Sequence, residues 1–367
     1  MDPSSPPRRP TSAPRPPVVD LGAPVLPVSF AAFVVERTGG SGGSVESIET
    51  GVRTLSLEDL PDGAVVLAVD WSAVNYKDGM VTRPGNRVAR INPLVPGVDL
   101  VGTVLDSADP SVAPGSQVIV HGYDLGVSHH GGFSQLARVP AEWVVPLPDG
   151  LDPRQAAIIG TAGFTAALSL HRLEQRGLRA GDGPILVTGA SGGVGSMAVT
   201  LLASRGYEVV ASTGKATETA YLTGLGADEV IDRSELLEAP GRTLGPERWA
   251  GAVDCVGGPT LAAVLRTLRY GTAVAASGLT GGNALETSVY PFIVRDVTLI
   301  GVDTVLTSID ERRRVWEGLA AAFPPALLEA MVEDEVGLDG LAPVLDRNQA
   351  GGSKGRTLVR PGRALSA

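Results

Sequence analysis

The chain has 367 residues, 43% of them hydrophobic, which is enough apolar material for two domains of ordinary size. Its formal net charge of −10 argues against a general nucleic-acid binder, which normally presents a basic face. The single cysteine, Cys255, excludes an intramolecular disulfide and a cysteine-rich zinc site, and we expect it to be a small buried residue in a strand.

The N-terminal residues 1–27 are rich in Pro, Ser and Arg, and they lack the apolar stretch of a secretory signal. We expect them to form a disordered extension, because they cannot bury enough apolar area to fold. No run of about 18 apolar residues follows, so we expect no membrane span and, by default, a cytoplasmic location.

Short strands with Gly and Pro between them make up the next part of the chain. We predict strands at 29–36, 45–55, 64–71, 101–105, 117–120, 133–139 and 142–146. Short strands at such close spacing are typical of a compact, barrel-like β domain.

Strands and helices alternate after residue 151. We predict strands at 184–188, 208–212, 229–231, 251–256, 272–277 and 298–302, and helices at 152–176, 197–204, 217–225 and 260–268. This alternation implies a parallel sheet with right-handed crossovers. A helix at 312–322 and a strand at 355–359 complete the pattern, and that last strand is placed to return to the first domain.

The strongest local signal is the glycine-rich turn VTGASGGVGS at 187–196. Gly189, Gly192 and Gly195 have the spacing G-x-x-G-x-x-G, between a predicted strand and a predicted helix. Small residues let the backbone approach a pyrophosphate, and the N–H groups of the helix N-terminus then bind it. The turn therefore predicts a dinucleotide site, with a purely structural turn as the alternative.

The end of the second strand distinguishes between cofactors. NAD enzymes usually place Asp or Glu there to bind the ribose hydroxyls, whereas this chain has Ser212, Thr213 and then Lys215. A lysine at this point is within reach of an additional phosphate. We therefore predict NADPH as the cofactor, and a solvated surface position is the alternative for Lys215.

Nine segments now match one family in order along residues 28–360. They are NYKD at 75–78, PGVD at 96–99, HHGG at 129–132, IGTAGFT at 159–165, TGASGGVG at 188–195, WAGAVD at 249–254, PFIVR at 291–295, GVD at 301–303 and GRTLV at 355–359. In these segments the chain resembles the acryloyl-CoA reductase (NADPH) branch of the quinone-oxidoreductase-like medium-chain reductases.

The resemblance implies an α/β fold with two domains. A GroES-like, β-rich catalytic domain would be split around a Rossmann domain with a doubly wound parallel sheet. We expect the first part of the catalytic domain at 28–150, the Rossmann NADPH-binding domain at 151–310 and the return to the catalytic domain at 311–367. The resemblance also implies a homodimer.

The resemblance further implies a set of cofactor contacts along the chain. The implied contacts are Tyr76 near the nicotinamide; Ser191, Gly192, Gly193 and Val194 at the pyrophosphate; Thr213, Gly214, Lys215 and Arg233 at the 2′-phosphate; and Leu279, Ile293, Thr304 and Asn348 on the nicotinamide side. Two residues depart from the family: Lys215 stands where Arg is common, and His130 replaces a common Trp at the substrate entrance.

Zinc enzymes of the same superfamily carry a Gly-His-Glu motif where this chain reads PGVD at 96–99, and we expect no metal here. Without a Lewis acid, an alkene conjugated to a carbonyl is a better substrate than a simple ketone. Hydride addition to its β-carbon gives an enolate, which needs hydrogen-bond donors at its oxygen and a proton at its α-carbon.

Tyr76 is the leading candidate to orient the substrate or relay that proton, because a phenol with a pKa of about 10 donates without ionising. Packing against the nicotinamide is its alternative role. Asn75 and Lys77 are candidates for positioning the carbonyl or the nicotinamide amide. Arg83 and Arg87 suit the phosphates of CoA, and His130 suits the substrate entrance, although plain surface loops explain all three.

Three functions are compatible with these residues. The first is NADPH-dependent reduction of the conjugated C=C of a short 2-enoyl-CoA such as acryloyl-CoA. The second is broad quinone or enone reduction, and the third is NADPH binding without catalysis. We expect neither a nucleic-acid nor a membrane partner.

Overall fold

The structure is a computed structural model that describes residues 26–39, 47–237 and 243–362. The expected disordered extension lies outside these ranges, except for residues 26 and 27. The strands are β1 Ser29–Thr38, β2 Ser47–Ser56, β3 Val65–Ala73, β4 Asp99–Ser107, β5 Gln117–His121, β6 Leu136–Val139, β7 Val145–Pro146, β8 Ile185–Thr188, β9 Val209–Thr213, β10 Glu229–Asp232, β11 Gly251–Asp254, β12 Ala273–Ala276, β13 Thr298–Gly301, β14 Val332–Val336 and β15 Arg356–Val359. The helices are α1 Tyr76–Met80, α2 Pro153–Gln175, α3 Gly193–Ser204, α4 Thr219–Gly224, α5 Gly258–Thr267, α6 Tyr290–Arg295, α7 Ile309–Leu319, α8 Pro325–Ala330 and α9 Leu341–Gln349.

Every predicted strand and helix has a counterpart among these elements, with shifted ends. The strand predicted at 142–146 is shorter than expected, because Ala141–Trp143 forms a 3-10 turn after Pro140. The sequence did not predict α1, α6, α8, α9 or β14. The helices α1, α6 and α8 have only five or six residues, too few to show a helical period.

A mostly antiparallel sheet forms the β-rich part, in the order β14-β15-β3-β4-β5-β7, and β6 also pairs with β3. The β1–β2 hairpin is a separate antiparallel pair. The late strand β15 joins this sheet by pairing antiparallel with β3 and parallel with β14. The chain therefore returns to the first sheet after the parallel sheet is complete.

Six parallel strands form the second sheet, in the order β10-β9-β8-β11-β12-β13. Numbered from β8, this is the order 3-2-1-4-5-6 of dinucleotide-binding sheets, with a ligand crevice at the carboxyl ends of β8 and β11. Every residue of β8, β9 and β11 is buried, as expected for strands that are covered on both faces. The predicted α/β class, a β-rich unit with a doubly wound parallel sheet, is confirmed.

The long helix α2 connects the two sheets. Asp152 caps its N-terminus by accepting the Gln155 N–H, and Pro153 occupies the first turn. Gly160 interrupts the helix with φ +47°, and a Cβ there would lie 2.5 Å from the Asp99 carboxylate. The kink therefore lets α2 pass directly beside a buried acidic side chain.

The short helix α1 is fixed by a buried carboxylate, Asp78. Asp78 accepts the N–H groups of Asn75 at 2.8 Å, Gly97 at 3.1 Å and Val98 at 3.0 Å. Burial raises the pKa of Asp78 to about 7, because the three hydrogen bonds do not fully offset its desolvation. This side chain holds the start of α1 against the loop before β4.

We predict that Asp78→Asn changes how stability depends on pH. The folded-state pKa of Asp78 lies above its unfolded value, so wild-type stability falls as the pH rises towards 7 and is constant above it. The side-chain amide of the variant does not titrate. Any hydrogen bond that the substitution weakens therefore costs the same free energy at every pH. The free energy of unfolding is measured with urea at pH 5 and at pH 8. From the lower to the higher pH it should fall by about 3 kcal/mol more for the wild type than for the variant. Parallel pH curves for the two proteins would contradict the burial argument.

Candidate active site

A cavity of about 890 Å³ opens between the β-rich part and the parallel sheet. Its walls come from α1, the turn before α3, the end of β9, the loops after β12 and β13, and the segment between α9 and β15. The carboxyl ends of the parallel strands therefore face the helix that carries the NYKD motif.

The turn between β8 and α3 fits a diphosphate. Gly189 has φ +61°, and a Cβ on Gly195 would lie 2.3 Å from the Gly189 carbonyl oxygen, so both positions require glycine. Helix α3 begins at Gly193, which places the positive end of a 12-residue helix at the cavity. The four residues predicted at the pyrophosphate all line the cavity: Ser191, Gly192, Gly193 and Val194.

The ends of β9 and β10 bring two cations to the same wall. The residues predicted for a 2′-phosphate site all line the cavity: Thr213, Gly214, Lys215 and Arg233. The Arg233 guanidinium packs on Gly214, where an added Cβ would lie 2.6 Å from its Nε. The Lys215 ammonium donates to the Ser353 carbonyl oxygen.

The opposite wall carries the catalytic candidates Tyr76 and Lys77 on α1. The Gln349 side chain holds this helix from the far end of the chain by donating to the Tyr76 carbonyl at 2.8 Å. Asn75 also lines the cavity, but its side chain is engaged elsewhere: its amide donates to Asp99 at 2.8 Å, and its oxygen accepts from Arg356 at 3.1 Å.

The Asp99–Arg356 ion pair lies beneath this wall, with N–O separation 3.2 Å and both side chains almost fully buried. The second carboxylate oxygen of Asp99 accepts the N–H and hydroxyl of Thr161 at 2.8 and 2.6 Å. Arg356 also donates to the Ile158 carbonyl at 2.9 Å. Burial lowers the pKa of Arg356, while the Asp99 charge opposes that shift. The charges are thus buried but paired and hydrogen-bonded.

A second buried cation, Arg312, supports the wall near the loop after β13. Its guanidinium lies 4.7 Å from the Tyr123 ring centroid and donates to the Thr304 carbonyl at 3.1 Å. Burial, and then the Arg312 charge, hold the pKa of His121 well below its usual value, so this imidazole is neutral and accepts the Trp316 N–H at 2.8 Å. Both Tyr123 and Thr304 line the cavity.

The cavity is locally cationic in an acidic protein. Among the described lining residues, Lys77, Lys215, Arg233 and Arg356 are basic, and Asp303 is the one acid. Asp303 is occupied in its own loop, where it accepts the Val305 N–H at 2.8 Å. A phosphorylated ligand fits this charge distribution better than a cationic one.

Four predicted site residues do not line the cavity. Ile293 is 72% exposed on α6, and Arg87 is exposed on the loop after α1. Arg83 pairs with Asp346 at 2.9 Å, which directs it to the protein surface. The His130 imidazole accepts the Val95 N–H at 3.2 Å and so stabilises the β-rich part. Leu279, Thr304 and Asn348, by contrast, line the cavity.

Cys255 lies one residue after β11 and not within a strand, half-buried at the cavity wall, which corrects its expected position. Burial raises the pKa of its thiol to about 12, so the thiol is protonated at neutral pH.

No role was predicted for Asp99, Arg356, Arg312 or Gln349. A signal was present for the first two, because each begins a strand and is followed there by buried residues. A charged residue at such a position needs a buried partner. The identity of that partner, 257 residues away, cannot be read from the sequence.

Within the described ranges, no three His, Cys, Asp or Glu side chains are grouped so that they could hold a metal ion.

Comparisons with known proteins agree with this architecture. The family described as alcohol dehydrogenase GroES-like domain matches residues 61–149, and the family described as zinc-binding dehydrogenase matches residues 193–321. The β-rich part is thus GroES-like, and the parallel sheet belongs to the nucleotide-binding domain of dehydrogenases.

Two curated relatives match most of the chain. The Bacillus subtilis protein named "Putative quinone oxidoreductase YhfP" is 46% identical over 317 residues, which are 86% of this chain and 96% of YhfP. Acrylyl-CoA reductase AcuI of Ruegeria pomeroyi is 49% identical over 303 residues, or 83% of this chain and 91% of AcuI.

Two solved structures share the fold. The yhdH oxidoreductase of Salmonella enterica in complex with NADP has a TM-score of 0.85 and 42% identity, covering 90% of this chain and 100% of that one. Bacillus subtilis yhfP with NAD bound has a TM-score of 0.86 and 44% identity, covering 90% and 99%. With this coverage by relatives and both domain families in order, the chain belongs to the medium-chain dehydrogenase/reductase family of oxidoreductases, in the branch that contains AcuI and YhfP.

Proposed function

We propose that the protein is an NADPH-dependent reductase of the conjugated C=C of a short 2-enoyl-CoA such as acryloyl-CoA. One observation carries the proposal: a single cavity joins a diphosphate-binding turn and a cationic wall at β9 to Tyr76 and Lys77 on α1. The 49% identity to the acrylyl-CoA reductase of Ruegeria pomeroyi supports the choice of substrate class.

The residues at β9 favour NADPH over NADH. Ser212 and Thr213 occupy the positions where a carboxylate would bind the free 2′-hydroxyl of NADH, and Lys215 and Arg233 lie beside them. The relative from Salmonella enterica was solved with NADP and YhfP with NAD, so relatives alone do not decide between the two. The two cations of this chain support NADPH, because they suit a phosphate dianion.

When bound, NADPH supplies a hydride for the β-carbon of the enoyl thioester. The Tyr76 hydroxyl is the proposed donor at the thioester oxygen or the α-carbon, and the Lys77 ammonium stabilises the negative charge that develops on that oxygen. Asn75 acts as a positioning residue, since Asp99 and Arg356 occupy its side chain.

Arg83 and Arg87 remain proposed contacts for the CoA phosphates at the mouth of the cavity, outside its lining. Arg83 is paired with Asp346, and neither arginine lines the cavity. Lys77 is the cation on the α1 side that does line it.

Quinone reduction is the second candidate function. The observation that favours it is the 46% identity to YhfP, which is named for that activity. Both reactions use the same cofactor wall, so the acceptor distinguishes them.

A homodimer is the proposed assembly. Helix α6 exposes Tyr290, Ile293 and Val294 by 50%, 72% and 51%, next to the edge strand β13. An apolar patch beside an open strand edge suits a second copy of the chain.

We further propose domain limits of 28–150 and 311–367 for the catalytic domain and 151–310 for the NADPH-binding domain. The return of β15 to the first sheet supports this division. The cytoplasmic location stays a prediction. None of the described helices is long and apolar enough to cross a bilayer.

We predict selective turnover of enoyl thioesters. NADPH oxidation is followed by absorbance with acryloyl-CoA, crotonoyl-CoA and a simple quinone in parallel. Turnover of acryloyl-CoA with the highest kcat/KM supports the first function. Fast quinone reduction without thioester turnover would replace it by the second, and tight NADPH binding without any turnover would leave only a binding role.

We predict that Lys215→Glu weakens NADPH binding by about 100-fold, because an attraction to the 2′-phosphate becomes a repulsion. NADH binding should change by less than threefold. Fluorescence titration with both nucleotides measures this, and Arg314→Glu makes the same charge change at an exposed site outside the cavity. An unchanged preference for NADPH would remove Lys215 from the phosphate site.

We predict that Tyr76→Phe lowers kcat for acryloyl-CoA by about 100-fold, the usual contribution of a positioned proton donor. The KM for NADPH should stay within a factor of three, since the ring still packs at the cavity wall. Tyr270→Phe, on a side chain that is 68% exposed, is the matched control. If kcat is unchanged, Tyr76 has only a packing role.

A further inference from the structure

The segment between α9 and β15 contacts the cofactor half of the cavity. The Gly355 N–H donates to the Ser191 carbonyl at 2.9 Å, in the glycine-rich turn. Lys354 pairs with Glu218 at 3.4 Å, just before α4. Ser353 directly precedes these two anchors, and its carbonyl accepts from Lys215. A late part of the chain thus closes the wall at which we place the 2′-phosphate.

The Lys215 ammonium has only a neutral hydrogen-bond partner at this wall and no ion-pair partner among the described residues. Its ammonium donates to a neutral carbonyl, and none of the described carboxylates lies within 4.0 Å of it or of Arg233. Glu218 is the nearest acid along the chain, but it is engaged by Lys354. A phosphate dianion would attract this ammonium more strongly than a carbonyl dipole does.

The Ser353 hydroxyl is a buried donor without an acceptor. Its oxygen is shielded from solvent, and it has no hydrogen-bond partner among the described residues. Such a group costs folding free energy until an acceptor is supplied. Ser353 also lines the cavity, on the same wall as Lys215. The missing acceptor and the weakly paired cation are therefore at the same place.

We propose that Ser353 completes the 2′-phosphate site and helps to determine the preference for NADPH. The phosphate takes the place of the Ser353 carbonyl at the Lys215 ammonium and accepts the Ser353 hydroxyl. In the free protein, the contact between Lys215 and Ser353 holds the segment in position for this exchange. The inference rests on the proposed use of NADPH and adds to it a residue from outside the parallel sheet.

The test uses two fragments that differ by the phosphate in question, adenosine 2′,5′-bisphosphate and 5′-AMP. Their Kd values are measured by calorimetry on the whole protein, without any turnover. Ser353→Ala should weaken the bisphosphate by about tenfold and 5′-AMP by less than twofold, and Ser353→Thr should restore most of the loss. Ser111→Ala removes a hydroxyl from an exposed turn far from the cavity and should change neither Kd.

Two outcomes overturn the proposal in distinguishable ways. If Ser353→Ala leaves both affinities unchanged, or weakens both equally, the serine has no part in phosphate recognition while the use of NADPH stands. If the wild-type protein binds the bisphosphate no more tightly than 5′-AMP, the assignment of NADPH fails together with this inference.

Discussion

The buried ion pair between Asp99 and Arg356 is the constraint on which the arrangement of the cavity depends. It connects the first residue of β4 with the first residue of β15, and both contact the kink of α2 at Gly160. Through Asn75 the pair also fixes the residue before α1. Removing one partner would leave an uncompensated buried charge, which typically costs about 3–5 kcal/mol. The pair therefore ties the motif-bearing helix to the strand that touches the glycine-rich turn.

This arrangement explains how a protein with a net charge of −10 can present a cationic cavity. The acids near the site are used internally: Asp78 accepts three backbone N–H groups, and Asp99 is paired with Arg356. The cations Lys215 and Arg233 line the cavity at the ends of β9 and β10. The electrostatic potential in the cavity is therefore set by its own lining residues and not by the net charge of the protein.

Local features were predictable from the sequence, and long-range ones were not. The glycine-rich turn and Lys215 were found because a strand, a turn and a helix follow one another within about 30 residues. The position of Arg83 depends on its ion pair with Asp346, which is far along the chain. Ile293 lies on the solvent-exposed face of α6. Neither follows from neighbouring residues. The buried partner of Asp99 likewise becomes visible only when β15 returns to the first sheet.

The chemistry proposed for Tyr76 and Lys77 requires a fixed direction of reduction across the substrate double bond. Isotope transfer tests this most directly: acryloyl-CoA is reduced with NADPH deuterated at C4 of the nicotinamide, and the product is examined by NMR. With deuterium at both C4 positions of NADPH, we predict one deuterium at C3 of propanoyl-CoA, and label at C2 only when the solvent is D₂O. Deuterium from NADPH at C2, or none in the product, would contradict the proposed hydride transfer.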